Sequence, residues 1–115
     1  MPPDSESKTK GLPGVQAAKA VELVHYQPGA IVSREIVNKP TGSVTAFAFD
    51  EGQSLSEHMV PSNVLVQVLE GEAVLTISNK HYHLQRGALI LVPTNQPHAL
   101  KAIKRFKMLL TMIRS

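Results

Sequence analysis

The run Val64-Leu65-Val66-Gln67-Val68-Leu69-Glu70-Gly71-Glu72-Ala73-Val74-Leu75-Thr76-Ile77-Ser78-Asn79-Lys80-His81-Tyr82-His83-Leu84-Gln85 decides the class of fold. Three short segments, 64–69, 73–78 and 81–85, are rich in β-branched and aromatic side chains, and Glu-Gly-Glu and Asn-Lys separate them as turns. Each segment has the length of a strand and is too short for an independent helix.

The same rhythm extends in both directions. Strands are expected at Ile31–Val37, Val44–Phe49, Ser54–His58, Val64–Leu69, Ala73–Ser78, His81–Gln85, Leu89–Val92, His98–Ile103 and Phe106–Ile113. Turn residues such as Pro40-Thr41-Gly42, Asp50-Glu51-Gly52, Arg86-Gly87 and Pro93-Thr94-Asn95 divide them. The pattern reads as an all-β sandwich or barrel, and the absence of strand–helix alternation argues against a doubly wound parallel sheet. Residues 16–23 have helix-favouring composition over about two turns, so a short helix and an edge strand are both open there. Residues 1–14, with three prolines and two glycines, are expected to form a flexible tail, leaving 15–115 as one domain.

Strand parity adds a second expectation. In Ala46-Phe47-Ala48-Phe49, in 64–69 and in Met108-Leu109-Leu110-Thr111-Met112-Ile113, both alternate sets are mainly apolar. A half-exposed strand would alternate apolar with polar, so these strands need the barrel interior on one side and another protein layer on the other. In a chain of 115 residues that layer is expected to be a second copy, held as a homodimer by an isologous contact.

Composition narrows the function. Hydrophobic residues make up 43% and charged residues 18%, enough for a folded core. The chain has no cysteine, which removes disulfides, thiolate metal sites and cysteine nucleophiles. No apolar run approaches the roughly 20 residues of a membrane helix, and the N-terminus lacks a basic start followed by an apolar stretch, so a cytoplasmic protein is expected. All nine acidic residues lie in 1–72, whereas 73–115 carries seven bases and no acid. The cluster Lys101, Lys104, Arg105 and Lys107 is expected to be a solvated rim, since no nucleic-acid motif or aromatic platform accompanies it. Serine-triad chemistry lacks a nucleophile elbow, phosphate-loop chemistry lacks a glycine-rich loop, and Asp50, Glu51, Glu70 and Glu72 fall in turns rather than inside a barrel.

Two segments carry a more specific pattern. Gly52, five residues, His58-Met59-Val60, three residues, Val64, six residues and Gly71 form the first; Gly87, five residues, Pro93-Thr94-Asn95, two residues, His98, three residues and Ala102 form the second. In spacing this resembles the two motifs of the cupin family, small single-domain cupins in particular, over about residues 30–113. The resemblance implies an all-β jelly-roll barrel, or double-stranded β-helix. Asn95 takes the place of a motif glycine and is the residue next best able to adopt positive φ.

In metal-binding cupins, two histidines and a glutamate of the first motif and a histidine of the second hold the ion. Here His58 and His98 match the first and last of these, while Val60 and Val64 stand where a second histidine and the glutamate would be. The resemblance therefore implies a reduced two-histidine site for a weakly held divalent ion (Fe, Mn, Ni or Zn), with other positions left to water or substrate. Gln67 lies on the opposite face from Val64, and His81 and His83 point away from the core pair Tyr82 and Leu84. His25 has no visible partner. Ser54 and Ser56 share parity with His58 if that strand is regular.

Three functions follow. The first is a module that holds a small organic molecule in the barrel, with Ser56, Val60, Val64 and Val66 lining the pocket, Val68 beside them, and His58 and His98 as polar contacts. The second is a metal-dependent cupin enzyme of dioxygenase, isomerase or decarboxylase type. The third is a dimeric scaffold with a basic surface facing nucleic acid.

Overall fold

The computed structural model describes residues 15–114, and the expected 1–14 tail lies outside the described residues. Among them are nine strands: β1 (Ile31–Lys39), β2 (Gly42–Phe49), β3 (Ser54–His58), β4 (Ser62–Glu70), β5 (Glu72–Ile77), β6 (Lys80–Gln85), β7 (Leu89–Val92), β8 (His98–Ala102) and β9 (Phe106–Arg114). All nine expected strands form, with ends displaced by at most two residues. They build a five-stranded sheet, β1-β2-β9-β4-β7, and a four-stranded sheet, β3-β8-β5-β6, with every pairing antiparallel. No helix among the described residues is long and apolar enough to cross a membrane.

The core lies between the sheets. Val64, Val66 and Val68 on β4, Leu75 on β5, Leu100 on β8 and Met108 on β9 turn inward, and Phe49 stacks on Phe106 with ring centroids 4.6 Å apart. The β5–β6 connection differs by one residue from the sequence reading. Ile77 pairs with Lys80, and Ser78 and Asn79 hold the two positive φ angles of a tight hairpin turn, so Ser78 belongs to the turn and Lys80 to the strand.

The outer face of the five-stranded sheet corrects part of the second-layer expectation. Ala46 and Ala48 are covered by the chain's own N-terminal strap: Leu23, Val24 and Tyr26 pack on them after a short 3-10 turn at Ala20–Glu22. The strap is also held by polar side chains from the strands and turns beneath it. The Tyr26 hydroxyl donates to Glu70 at 2.6 Å, Lys107 Nζ donates to the Val21 carbonyl at 2.6 Å, and an Arg34 Nη donates to the Leu23 carbonyl at 3.2 Å. Asp50 accepts from the Gly29 N–H at 2.6 Å and from Arg105 Nε at 3.2 Å, while the Arg105 guanidinium lies 4.5 Å from the Tyr26 ring centroid.

This network corrects the solvated-rim expectation for one base of the cluster, Lys107, which is 8% exposed. Lys101, Lys104 and Arg105 are exposed as expected, with Lys104 3.7 Å from Glu72 and Arg105 against Asp50 and Tyr26. Burial, followed by the bond to Glu70, pushes the Tyr26 hydroxyl pKa upward. The Asp50 carboxyl is held below the usual carboxylate range by the Gly29 and Glu51 N–H groups, with Arg105 adding to the effect.

Candidate functional site

His58 ends β3 and His98 begins β8, on adjacent strands of the smaller sheet. Leu55 pairs with Leu100 and His58 with His98, so three steps along β3 match two along β8 and a bulge absorbs the extra residue. The bulge brings His58 back to the face of Leu55, beside His98. The two rings lie 4.3 Å apart between centroids at 55°; His98 is 7% exposed, whereas His58 is open to solvent.

Each imidazole is oriented by a main-chain carbonyl two residues earlier. His58 Nδ1 lies 2.8 Å from the Ser56 carbonyl oxygen and His98 Nδ1 lies 3.0 Å from that of Gln96. A carbonyl only accepts, so in both neutral rings Nδ1 carries the proton and Nε2 keeps its lone pair. The result is two neighbouring rings with two available Nε2 acceptors.

The second-motif loop ties this arrangement to the first motif. Asn95 has φ +61° in the place of the motif glycine, and its N–H donates to the Val60 carbonyl at 2.9 Å. The Thr94 N–H donates to Asn63 Oδ1 at 3.0 Å. Gln96 was not singled out by the sequence, yet its carbonyl sets the His98 tautomer and its Oε1 accepts from the Ser78 hydroxyl at 2.7 Å. The common signal is positional, a carbonyl two residues before each histidine, and it leaves no trace in residue type.

The pocket residues are distributed differently. Val64 and Val66 are 2% and 3% exposed within the packed core, and Val60 packs at its margin. The parity expectation for Ser54 and Ser56 is corrected, because β3 is not regular: Ser54 pairs with Lys101 ahead of the bulge, and the exposed Ser56 meets His58 through its main-chain carbonyl. Gln67 is exposed between Leu89 and Leu109 in the larger sheet. His81 and His83 face outward as expected, the first bonded to the Thr76 hydroxyl at 2.8 Å and the second to Glu72, while Leu84 is buried and Tyr82 packs on the core. His25 is exposed.

Among the described residues no group of three His, Cys, Asp or Glu side chains converges as a metal cage. The donor set therefore suits an exchangeable borderline ion held by two imidazoles, and does not suit the tightly held ion of a three- or four-ligand site. A cleft of about 530 Å³ opens at the seam between β6 and β7, lined by Ile77, Tyr82, Ile90, Pro93, Lys80 and Gln96. Gln96 thus borders the cleft with its side chain and orients His98 with its carbonyl.

Comparison with known proteins agrees with this fold. The family model described as "Cupin domain" matches residues 46–113. A conserved protein of unknown function from Streptococcus pyogenes superposes with a TM-score of 0.87 at 28% identity, covering 91% of this chain and 92% of that one. A cupin superfamily protein from Desulfitobacterium hafniense gives 0.87 at 26% identity, covering 93% and 98%. A cupin 2 conserved barrel domain protein from Leptotrichia buccalis gives 0.79 at 38% identity, covering 82% of this chain and 46% of that one. No curated protein matches the chain.

Proposed function

The chain belongs to the cupin domain family, and from that premise we propose that it binds a small organic molecule beside the His58–His98 pair, together with a loosely held divalent ion. The observation that carries this reading is the pair of imidazoles whose Nδ1 atoms are both committed to main-chain carbonyls, which leaves two adjacent Nε2 lone pairs. Such a pair ligates a divalent ion or accepts hydrogen bonds from ligand hydroxyl or carboxylic acid groups. When bound, the ion supplies open coordination positions that polarise an oxygen of the ligand. Val60 and the seam cleft beside Gln96 offer apolar surface for the body of the ligand. Because Val64 and Val66 are closed into the core, the ligand lies at the margin of the barrel rather than deep within it.

Lys107 is buried against the Val21 carbonyl and Arg105 is paired with Asp50, which leaves Lys101 and the loosely held Lys104 as the exposed bases of the cluster free to meet a partner and weakens the case for a nucleic-acid scaffold. Among the described residues no carboxylate joins the imidazole pair to favour turnover as a dioxygenase, isomerase or decarboxylase over binding, and the cupin fold itself hosts many chemistries.

The test is a titration of Zn²⁺, then of citrate and malate with and without Zn²⁺, into the full chain labelled with ¹⁵N, read at the imidazole nitrogens. Both Nε2 resonances are expected to move with added zinc, to return after dialysis against chelator, and to lose the response in His58→Ala/His98→Ala. Insensitivity of both rings to the ion and to the two acids would overturn the proposal.

A further inference from the structure

The outer face of the four-stranded sheet carries a groove that is not lined by the imidazole pair. Alternation sends Val74 and Thr76 of β5, Ala99 and Lys101 of β8 and His81 of β6 to this face, opposite the core residues Leu75 and Leu100. Register sets the outward side chains in two levels. Ser54, Lys101, Val74 and His83 lie side by side across β3, β8, β5 and β6, and Ala99, Thr76 and His81 form the next level across β8, β5 and β6. Short side chains occupy the middle of both levels, and over them lies a groove of about 400 Å³ whose lining extends to Ile103, itself 40% exposed.

The charge around this groove has one sign. β6 and β8 hold no acidic residue, Glu72 at the start of β5 is engaged by His83 and Lys104, and Glu57 in the β3 bulge does not line the groove. Lys101 is exposed and has no ion-pair partner among the described residues. His81 stands on the far side of β5 from it, about 12 Å away along the diagonal of the register. Its Nδ1 bonds the Thr76 hydroxyl at 2.8 Å. A hydroxyl donates or accepts, so this ring is not locked in the way the carbonyls lock His58 and His98. With Thr76 donating, the His81 proton sits on Nε2, which then offers a donor where the imidazole pair offers acceptors.

We propose that this groove binds a small amphipathic carboxylate, its head group held between Lys101 and His81 and its hydrocarbon body laid on Val74, Ala99 and Ile103. The head group is anionic because an ammonium without a partner and an imidazole N–H both face the groove, and a carboxylate with two oxygens bridges two such donors by charge-assisted bonds. The body is apolar because the floor between the donors is valine, alanine and isoleucine, which gives a fully hydrated anion such as phosphate little to bond. The ligand is small because 400 Å³ lies toward the lower end of small-molecule sites, and one unpaired lysine is too few for the multiple phosphate contacts of a nucleic acid. The site is independent of the His58–His98 pair, since His98 is buried toward the core on the opposite face of the same sheet.

Hexanoate and its neutral analogue hexanamide, titrated separately into the full ¹⁵N-labelled chain at neutral pH, test this at the backbone amides. Hexanoate is expected to shift the Val74, Thr76, Ala99 and Lys101 resonances along a saturating curve, and hexanamide to bind about tenfold more weakly or not at all. Lys101→Gln, at an exposed position that leaves the sheet intact, is expected to weaken hexanoate by about tenfold. Ala99→Leu fills the floor and is expected to remove the response, with the resonances of the larger sheet unchanged. His58→Ala/His98→Ala is expected to bind hexanoate as wild type does, so failure here and failure of the imidazole site are read apart. Absence of saturable shifts on this face would overturn the proposal, as would equal binding of hexanamide or unchanged hexanoate binding in Lys101→Gln.

Discussion

Gly52 and Gly71 both belong to the first motif and both have φ +85°, yet the chain depends on them differently. A Cβ at Gly71 would lie 1.9 Å from the Arg105 carbonyl oxygen and 2.5 Å from the Phe106 Cα, main-chain atoms that cannot swing aside, whereas at Gly52 nothing lies within 4 Å. Gly71→Ala is therefore expected to destabilise by about 3 kcal/mol or more, combining backbone strain with overpacking, and Gly52→Ala by about 1–2 kcal/mol from strain alone. Urea denaturation of the two variants checks the contrast. The valines at the ligand positions separate in the same way. Val60→His, at the margin of the core, is expected to tighten zinc binding by about tenfold, on the order of 1.4 kcal/mol. Val64→Glu places a carboxylate in a site 2% exposed and is expected to cost several kcal/mol in metal-free protein, against the sequence-based view that both positions face open space. Calorimetric zinc titration and thermal melts of each single variant distinguish the two effects. Motif spacing makes His58, His98 and Asn95 legible in the sequence alone. The histidine tautomers were not, because Ser56 and Gln96 act through carbonyls that every residue possesses.

The strands were readable because β-branched runs and turn residues act locally, and β3 shows where local reading stops. Its bulge follows from pairing with β8, a contact across forty residues that alternation along Ser54–His58 does not encode, and it moved Ser54 and Ser56 off the face of His58. The strap was less legible still. Leu23, Val24 and Tyr26 have neither strand nor helix periodicity, and their role depends on Glu70, Arg105 and Lys107 reaching them from distant strands and turns. That dependence gives the strap a pH signature. The folded-state Tyr26 pKa is raised, so the folded state favours the protonated hydroxyl; its contribution is complete below the unfolded value of about 10 and is lost as pH rises beyond it. Tyr26→Phe is expected to lower stability by about 1 kcal/mol at pH 7, the scale of one hydrogen bond to a charged, partly accessible group. In melting curves taken from pH 7 to pH 11, the gap between wild type and variant is expected to narrow above pH 10. A gap constant across that range would show that the Tyr26–Glu70 bond contributes no proton-linked stability.

At the scale of the molecule, the two sheets divide the work. The imidazole pair sits on the smaller sheet, at the junction of β3 and β8, while the exposed Leu89 and Leu91 stand on the outer face of the larger sheet. The core of Val64, Val66, Leu75, Phe106 and Met108 lies between them and is closed. Apolar patterning on both faces of the strands announced a second layer, but pattern alone does not distinguish a layer supplied by the chain's own strap from one supplied by another copy. The structure assigns Ala46 and Ala48 to the former and leaves Leu89 and Leu91 open. If the site is complete within the smaller sheet and the seam, a charge placed elsewhere on the larger sheet leaves it intact. Leu89→Glu, at an exposed position outside the seam cleft, is then expected to shift both imidazole Nε2 resonances over the same zinc range as wild type, within about twofold in apparent affinity, or roughly 0.4 kcal/mol. A loss of tenfold or more, with the sheet spectrum unchanged, would instead mean that the outer face of the larger sheet shapes the mouth of the site through the seam beside β7, where Leu91 and Gln96 border the same cleft.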